Sequence, residues 1–295
     1  MSPAHTPQAS RVEGRRRVKL TVAYDGTAYA GWQIQPNGPT LQATMEEVLA
    51  RIVQEPVRVR AAGRTDAGVH AREQVVDFAD AGARDLETIV HGGNALLPPD
   101  IRILSAEEVP ETFDAMRHAT EKEYRYFLYL SPVASPFLSR YAWHIEAPLD
   151  LDAVRVGLSH LVGEHDFTSF RGQGCNARSP VRTVFRAEVA RHDVPGLFSI
   201  DVAGAGFLRH MVRNIVGTVV NAGKGKHSAD HVEEILRARN RCAAGMNAPP
   251  HGLFLWRVSY SPGTNYFAGS ESENSIAFAI HLLRSPDEAN PAGST

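Results

Sequence analysis

The chain has 295 residues, of which 43% are hydrophobic and 22% are charged, and its formal net charge is −2. This composition excludes a disordered polymer and a membrane protein, because no apolar run approaches the ~18 residues that a spanning helix needs. With no hydrophobic stretch near the N-terminus to direct export, we expect a cytoplasmic protein with no structural zinc site, in which Cys175 and Cys242 are free thiols.

Arginine supplies almost all of the positive charge. Of the 31 basic residues, four are lysine and 27 are arginine. A near-neutral chain is a poor match for a polyanionic partner, because phosphate binding favours basic surfaces. Arginine, however, pairs bidentately with phosphate and stacks on bases. A codon bias toward arginine explains the same count, so composition alone leaves the partner open.

The first half of the chain predicts strands interrupted by two helices. Order is expected to begin with a strand over residues 18–25, after a disordered arm formed by residues 1–16. Thr40 is expected to cap a helix whose apolar positions run from Leu41 to Val53. The remaining elements predicted in this half are strands over 57–63, 74–79, 101–109 and 124–130 and a helix over 85–97.

A second, similarly arranged half follows. Asp150 is expected to cap a helix. The other predicted elements are a hairpin of strands 183–193 and 197–204, a long helix over 208–221, a helix after Ser228 and a last strand over 253–260. The pattern predicts an α+β protein with antiparallel sheets flanked by helices, divided into residues 17–145 and 146–261. Residues 262–295 are predicted to be a flexible tail.

The densest chemical signal is the run AGRTDAGVHA, residues 62–71, which lies between two predicted strands. Gly68 can adopt the positive φ that a sharp turn requires, so Asp66 is expected near the apex with Arg64 two residues away. Such a turn is often structural, with the aspartate bonding its own backbone. It also suits a catalytic carboxylate that a nearby guanidinium keeps ionised.

Two further segments carry candidate binding residues. Tyr124 and Tyr126 share one face of a predicted strand, where an aromatic stripe forms either core or a platform for a nucleic-acid base. On the long helix, Arg209 and Arg213 are four residues apart and project from one side. Either arginine could simply belong to a solvated face.

Several familiar catalytic motifs are absent. The sequence has no GxxxxGK[ST], HExxH, CxxC or GxSxG pattern. The triplet Gly204-Ala205-Gly206 precedes a helix but lacks a third glycine at the spacing of a dinucleotide-binding turn. No nucleotide cofactor is therefore expected.

Taken together, six segments resemble the tRNA pseudouridine synthase A family. They span residues 18–260 and are, in order, YDGTAYAGWQ, GRTDAGVHA, KEYRYFLY, SFRGQGCNARSPVRTV, FLRHMVRNIVG and APPHGLFLWRV. The resemblance implies that Asp66 is the nucleophile, Tyr124 the active-site tyrosine and Arg213 the partner of the aspartate. It also implies that Arg64 contacts RNA, and it leaves the role of Arg209 open.

The resemblance further implies a fold, a substrate and a reaction. The fold is two similar α+β halves that meet at a central active-site cleft. The protein would act as a homodimer on uridines 38, 39 and 40 of the tRNA anticodon stem-loop. The reaction breaks the bond between C1′ and N1 and rejoins uracil through C5, which requires neither a metal nor an organic cofactor. Asp66 would either attack C1′ or deprotonate the sugar on a glycal route.

Three alternatives remain at this point. A non-catalytic RNA-binding protein would keep the arginines and Tyr124 but would have no use for Asp66. An aspartate-based hydrolase would need a second Asp-Thr/Ser-Gly or clustered carboxylates, and Glu73 and Asp77 lack ligand-like spacing. A related enzyme could carry out the same reaction on another RNA.

Overall fold

The computed structural model describes residues 15–82 and 84–261. Over these ranges the protein is α+β, as predicted, with ten strands that form one sheet and five α-helices. The helices are α1 (Leu41–Val53), α2 (Leu86–Leu96), α3 (Leu151–Ser159), α4 (Met211–Gly223) and α5 (His231–Ala238). The strands are β1 (Arg16–Tyr24), β2 (Arg60–Ala61), β3 (His70–Asp80), β4 (Ile101–Val109), β5 (Ala119–Leu130), β6 (Trp143–Ile145), β7 (Gly163–Asp166), β8 (Val181–Arg191), β9 (Leu197–Gly204) and β10 (Leu253–Tyr260).

The last strand lies among strands of the first predicted half, and the pairing of β5 with β9 also joins the two halves. The main strand order is β4-β1-β3-β10-β5-β9-β8-β7, so β10 lies between two strands of the first half. It pairs parallel with β3 and antiparallel with β5, and most other pairs are antiparallel. The sheet is therefore continuous across residue 145, and the division of the chain there stays a prediction.

Sequence capping signals are confirmed at two helices. The Thr40 hydroxyl accepts a hydrogen bond from the Ala43 amide at the start of α1. The Asp150 carboxylate accepts from two amides at the start of α3. Each cap satisfies an amide that has no partner within its own helix.

The predicted strand over 57–63 was wrong in length. Val57 and Val59 are buried as an alternating pattern requires, but strand pairing is confined to Arg60–Ala61. Side chains of α1 bond the backbone of Val59 instead: its amide donates to Glu46 and its carbonyl accepts from Gln42. A side-chain partner thus replaces a neighbouring strand.

Other boundaries also differ. The α4 helix begins at Met211 rather than at residue 208, because His210 has a φ of 61° and is not helical. Order begins earlier than predicted, since Arg16 is already in β1 and pairs with Asp80. The remainder of the predicted arm, residues 1–14, and the predicted tail lie outside the described residues.

The helices pack on one face of the sheet and bury the main core there. On β5, Tyr126 and Leu128 belong to this core, whereas Phe127 faces the other side and packs with Leu138 and Trp256. Successive side chains of a strand point to opposite faces, which explains the split. None of the helices in the described part of the chain is long and apolar enough to cross a membrane.

Candidate active site

A cleft of about 1060 Å³ opens where loops from both halves meet. It is lined by the loop after β1, the turn between β2 and β3, the segment before β8 and the residues that lead into α4. The cleft contains Arg64, Asp66, Tyr124 and Arg213, so the structure brings all four predicted site residues together.

Asp66 lies on the tight turn between β2 and β3. Gly68 has a φ of 74°, as predicted from its position in the run. The Val69 amide closes the turn on the Asp66 carbonyl at 3.1 Å. The Asp66 carboxylate contacts Arg213 and His210, and its own turn donates no hydrogen bond to it among the described residues. The carboxylate is therefore turned into the cleft and is not used to stabilise its own loop.

The loop after β1 fixes the back of this turn. The Trp32 amide donates to the Thr65 carbonyl at 3.0 Å. Gly31 has a φ of 104°, and a Cβ there would lie 2.9 Å from that carbonyl oxygen and 3.2 Å from the Asp66 carbonyl carbon. The two backbones approach so closely that residue 31 must lack a side chain.

A buried hydrogen-bond network supports the turn from below. The hydroxyls of Tyr24 and Thr65 are 2.8 Å apart. Gln74 donates to the Gly63 carbonyl at 2.7 Å and to the Tyr24 hydroxyl at 3.3 Å. Burial raises the pKa of the Tyr24 phenol to about 12, although the bonds from Thr65 and Gln74 oppose the change. The network therefore stays in one protonation state at neutral pH.

Arg213 reaches Asp66 from the other half of the chain. Its Nη1 donates to Asp66 Oδ2 at 3.0 Å, and its side chain is 11% exposed, against 26% for Asp66. A charge-assisted bond that is mostly shielded from water holds the carboxylate more firmly than a surface ion pair would. The guanidinium is held in turn, because its Nε donates to the Ala248 carbonyl at 2.8 Å.

His210 is a third member of the site that sequence reasoning missed. Its Nε2 lies 3.5 Å from the same Oδ2 of Asp66. Burial lowers the pKa of the imidazole; Asp66 opposes this shift, and the charges of Arg213, Arg209 and Arg241 add to it. The available signal was its place in the run FLRHMVRNIVG, three residues before Arg213.

Both tyrosines of the pair belong to the buried core, and of the two Tyr124 also lines the cleft. Tyr126 is fully buried, and its hydroxyl donates to the Pro249 carbonyl at 2.8 Å. Tyr124 lines the cleft, with its ring edge-on to Phe207 at a centroid distance of 5.2 Å. Burial, with smaller contributions from the charges of Tyr24 and Asp66, raises the pKa of the Tyr124 phenol well above its usual value.

Cations without acidic partners surround the cleft. Over the described ranges, Arg64, Lys122, Arg182 and Arg209 form no ion pair with a carboxylate. Burial and the neighbouring Arg182 lower the pKa of the Lys122 ammonium. Some arginines elsewhere are neutralised, as in the pairs Arg16–Asp80 and Arg125–Asp201. The cleft is therefore bordered by positive charge that no carboxylate neutralises.

The same residues offer no evident metal site. Within residues 15–82 and 84–261, no three His, Cys, Asp or Glu side chains cluster in a way that could hold a metal ion. The chemistry that the geometry directly supports is that of one carboxylate, held by a guanidinium and an imidazole, beside an aromatic ring.

Known proteins resemble this chain over nearly all of its described length. The sequence profile described as tRNA pseudouridine synthase matches residues 20–117 and 158–261. A tRNA pseudouridine synthase A from Geobacter sulfurreducens is 46% identical over 245 residues, which cover 83% of this chain and 100% of that protein. The protein of the same name from Pelobacter propionicus is 44% identical over 245 residues, with coverages of 83% and 100%. One from Exiguobacterium is 45% identical over 245 residues, with coverages of 83% and 98%.

Proposed function

This chain belongs to the tRNA pseudouridine synthase family and is an isomerase, and we propose that its substrate is the anticodon stem-loop of tRNA. The proposed reaction converts uridine to pseudouridine at positions 38, 39 and 40. The observation that carries the proposal is the meeting of Asp66 and Arg213, 147 residues apart in the chain, at 3.0 Å within a cleft. The substrate is inferred from the six segments that resemble those of the family and occur in the same order.

Asp66 is the proposed reacting group. Arg213 and His210 both contact Oδ2 of Asp66. Among the described residues, Oδ1 accepts no hydrogen bond. Oδ1 is therefore the oxygen available to the ribose. Attack on C1′ would form a glycosyl ester and release uracil as its anion; C5 would then attack C1′, Asp66 would leave, and the proton on C5 would be lost. On the glycal route the same oxygen would remove a sugar proton.

Tyr124 is the proposed platform for the flipped base. A uridine in a stem must leave the helix before its C1′ can be reached, at a cost of a few kcal/mol. Stacking on an aromatic ring returns ~1–3 kcal/mol of this cost. Because burial raises the pKa of the phenol, the hydroxyl is protonated at neutral pH and acts as a hydrogen-bond donor before it acts as a base.

The basic side chains at the cleft that pair with no carboxylate support binding of the RNA backbone. Arg64 and Arg209 line the cleft, and Lys122 lies on β5 two residues before Tyr124. When guanidinium and ammonium groups neutralise phosphates, they release the cations condensed on the RNA, which favours association at moderate salt. We further propose a cytoplasmic homodimer that requires no metal or organic cofactor, with light scattering of the purified protein as the test of its oligomeric state.

Tritium release tests the reaction directly. A tRNA transcript labelled with tritium at uridine C5 loses its label to water when the base is rejoined through C5. We expect release by the wild type, loss of release in Asp66→Asn with RNA binding nearly intact, and normal release in Asp152→Asn. Asp152 is the matched control because its side chain is 88% exposed and pairs with Arg155.

A second transcript, altered at positions 38 to 40, tests the site of modification. Release from both transcripts would reject these positions as the targets. Tight binding without release by the wild type would favour a non-catalytic RNA-binding protein. Substantial release by Asp66→Asn would remove Asp66 from its role.

A further inference from the structure

Two chains of polar contacts reach the Asp66 carboxylate, and both begin at neighbouring residues of one loop. Ala248 accepts from Arg213 through its carbonyl at 2.8 Å. The side chain of Asn247 contacts the imidazole of His210, with Nδ2 and Nδ1 3.3 Å apart. Arg213 and His210 then meet at Oδ2 of Asp66. The dipeptide Asn247–Ala248 thus touches both residues that touch the carboxylate.

We propose that Asn247 is a positioning residue: it fixes the neutral tautomer of His210 that places Nε2–H toward Asp66. This inference rests on the proposed role of Asp66 as the reacting carboxylate. Asn247 and His210 would together hold Oδ2 of Asp66 in place, so that Oδ1 is directed at the ribose.

The tautomer follows from what each ring nitrogen faces. Nε2 of His210 faces a carboxylate oxygen at 3.5 Å, so it must carry the proton, since a lone pair there would be repelled. Nδ1 is then an acceptor, and Asn247 must present its NH₂ group to it. With the amide reversed, Nδ1 would need the proton and Nε2 would turn a lone pair toward Asp66.

The surroundings hold the imidazole in this place. His210 has a φ of 61°, which is uncommon for a residue with a side chain. A Cβ on Gly172 would lie 2.9 Å from the Cβ of His210, so the neighbouring loop fits closely around it. Asn247 Oδ1 is buried with no hydrogen-bond partner, so among the described residues the amide bonds through its NH₂ group.

The loop that carries Asn247 is anchored to α4 independently of Asp66. The Gly245 amide donates to the Thr218 hydroxyl at 2.9 Å, and the Ala248 amide donates to the Arg213 carbonyl at 3.1 Å. A Cβ on Gly217 would lie 1.8 Å from the Met246 carbonyl oxygen. Loop and helix therefore form one rigid unit, as a positioning role requires.

The charged groups that face His210 set its behaviour with pH. They are Asp66, Arg213, Arg209 and Arg241; burial and the three arginines lower the pKa of the imidazole, and Asp66 opposes them. His210 is therefore neutral at pH 7. Below its pKa a second positive charge at Oδ2 would make Asp66 a weaker nucleophile, so kcat should fall as the pH falls.

Substitution of Asn247 by Asp and by Ala tests the proposal. Asn247→Asp places a carboxylate at Nδ1 of His210 and favours the imidazolium. The acidic side of the pH profile of kcat should therefore move upward by about one pH unit. Asn247→Ala allows the wrong tautomer and should lower kcat about tenfold, the factor that one ordinary hydrogen bond gives, with little change in KM. Asn240→Ala is the matched control, because Asn240 caps a turn just upstream in the chain by accepting from the Cys242 amide.

A readout besides activity comes from NMR titration of the His210 imidazole, assigned by its loss in His210→Gln. The pKa of His210 should rise in Asn247→Asp and stay unchanged in Asn240→Ala. An unchanged His210 pKa and an unmoved acidic side of the pH profile in Asn247→Asp would overturn the proposal. Wild-type tritium release and its loss in Asp66→Asn are measured alongside, so that failure of the proposed function is recognised separately.

Discussion

A methyl group at residue 31 should damage catalysis through the turn that carries Asp66. Gly31 has a φ of 104°, and the Cβ of Gly31→Ala would lie 2.9 Å from the Thr65 carbonyl oxygen and 3.1 Å from the Ala67 amide nitrogen. All of these neighbours are backbone atoms, so they cannot rotate away as the end of a side chain would. The turn itself must shift.

Two effects set the size of the perturbation. Positive φ costs a residue with a Cβ roughly 1–2 kcal/mol. Forcing a methyl group into a packed site costs roughly 1–3 kcal/mol more. A total of about 2–5 kcal/mol should lower Tm by about 4–20 °C in a chain of this size. Because displacement of a catalytic group by about 1 Å can cost ~100-fold in rate, we expect kcat to fall ~10–100-fold.

Gly225→Ala separates the two effects. Gly225 has a φ of 68° with nothing within 4 Å of its Cβ position, and it follows α4 at the end opposite Arg213. It should lose about 1–2 kcal/mol of stability and retain its kcat. Differential scanning fluorimetry and single-turnover tritium release measure both quantities. A Gly31→Ala enzyme with wild-type kcat would refute the claim that close backbone packing positions Asp66.

Two further predictions concern the RNA. Arg64→Gln should weaken tRNA binding and reduce the slope of log Kd against log salt by about one, because one phosphate contact is lost. Arg155→Gln is the control and should leave the slope unchanged, because Arg155 already pairs with Asp152 at 2.6 Å. Equal slopes in the wild type and both variants would show that Arg64 does not contact a phosphate. Tyr124→Phe should retain RNA affinity and slow tritium release in a single turnover, since stacking survives while the hydroxyl is lost. A wild-type rate would show that Tyr124 only stacks on the base and that its hydroxyl is not needed.

Local patterns predicted the parts of the structure that short-range chemistry determines. Asp66 was expected at the apex of a turn because Gly68 tolerates positive φ, and the structure has both features. Thr40 and Asp150 were recognised as caps because their side chains bond amides two or three residues away. In each case the partner lies close in the sequence, so the residues alone carry the information.

Long-range contacts could not be predicted in this way. The parallel pairing of β10 with β3 joins Phe254 to His70, and no local pattern specifies which strand a segment will choose. Buried and exposed residues do alternate over 57–61. Side chains of α1 nevertheless bond the backbone of Val59, where a paired strand was expected. His210 and Asn247 lie 37 residues apart, and their contact becomes visible only when the loop is packed on α4.

The position of Asp66 therefore depends on the fold as a whole. From the first half, Gly31 and the Tyr24–Thr65 network fix the backbone of the turn. From the second half, Arg213 and His210 fix the carboxylate. Neither predicted half contains both sets of contacts, and the pairing of β10 with β3 and β5, together with the pairing of β5 with β9, brings the halves into one sheet. Because carboxylate orientation requires contacts from both halves, a substitution anywhere along this path should alter kcat before it abolishes RNA binding, whose cations are distributed around the cleft.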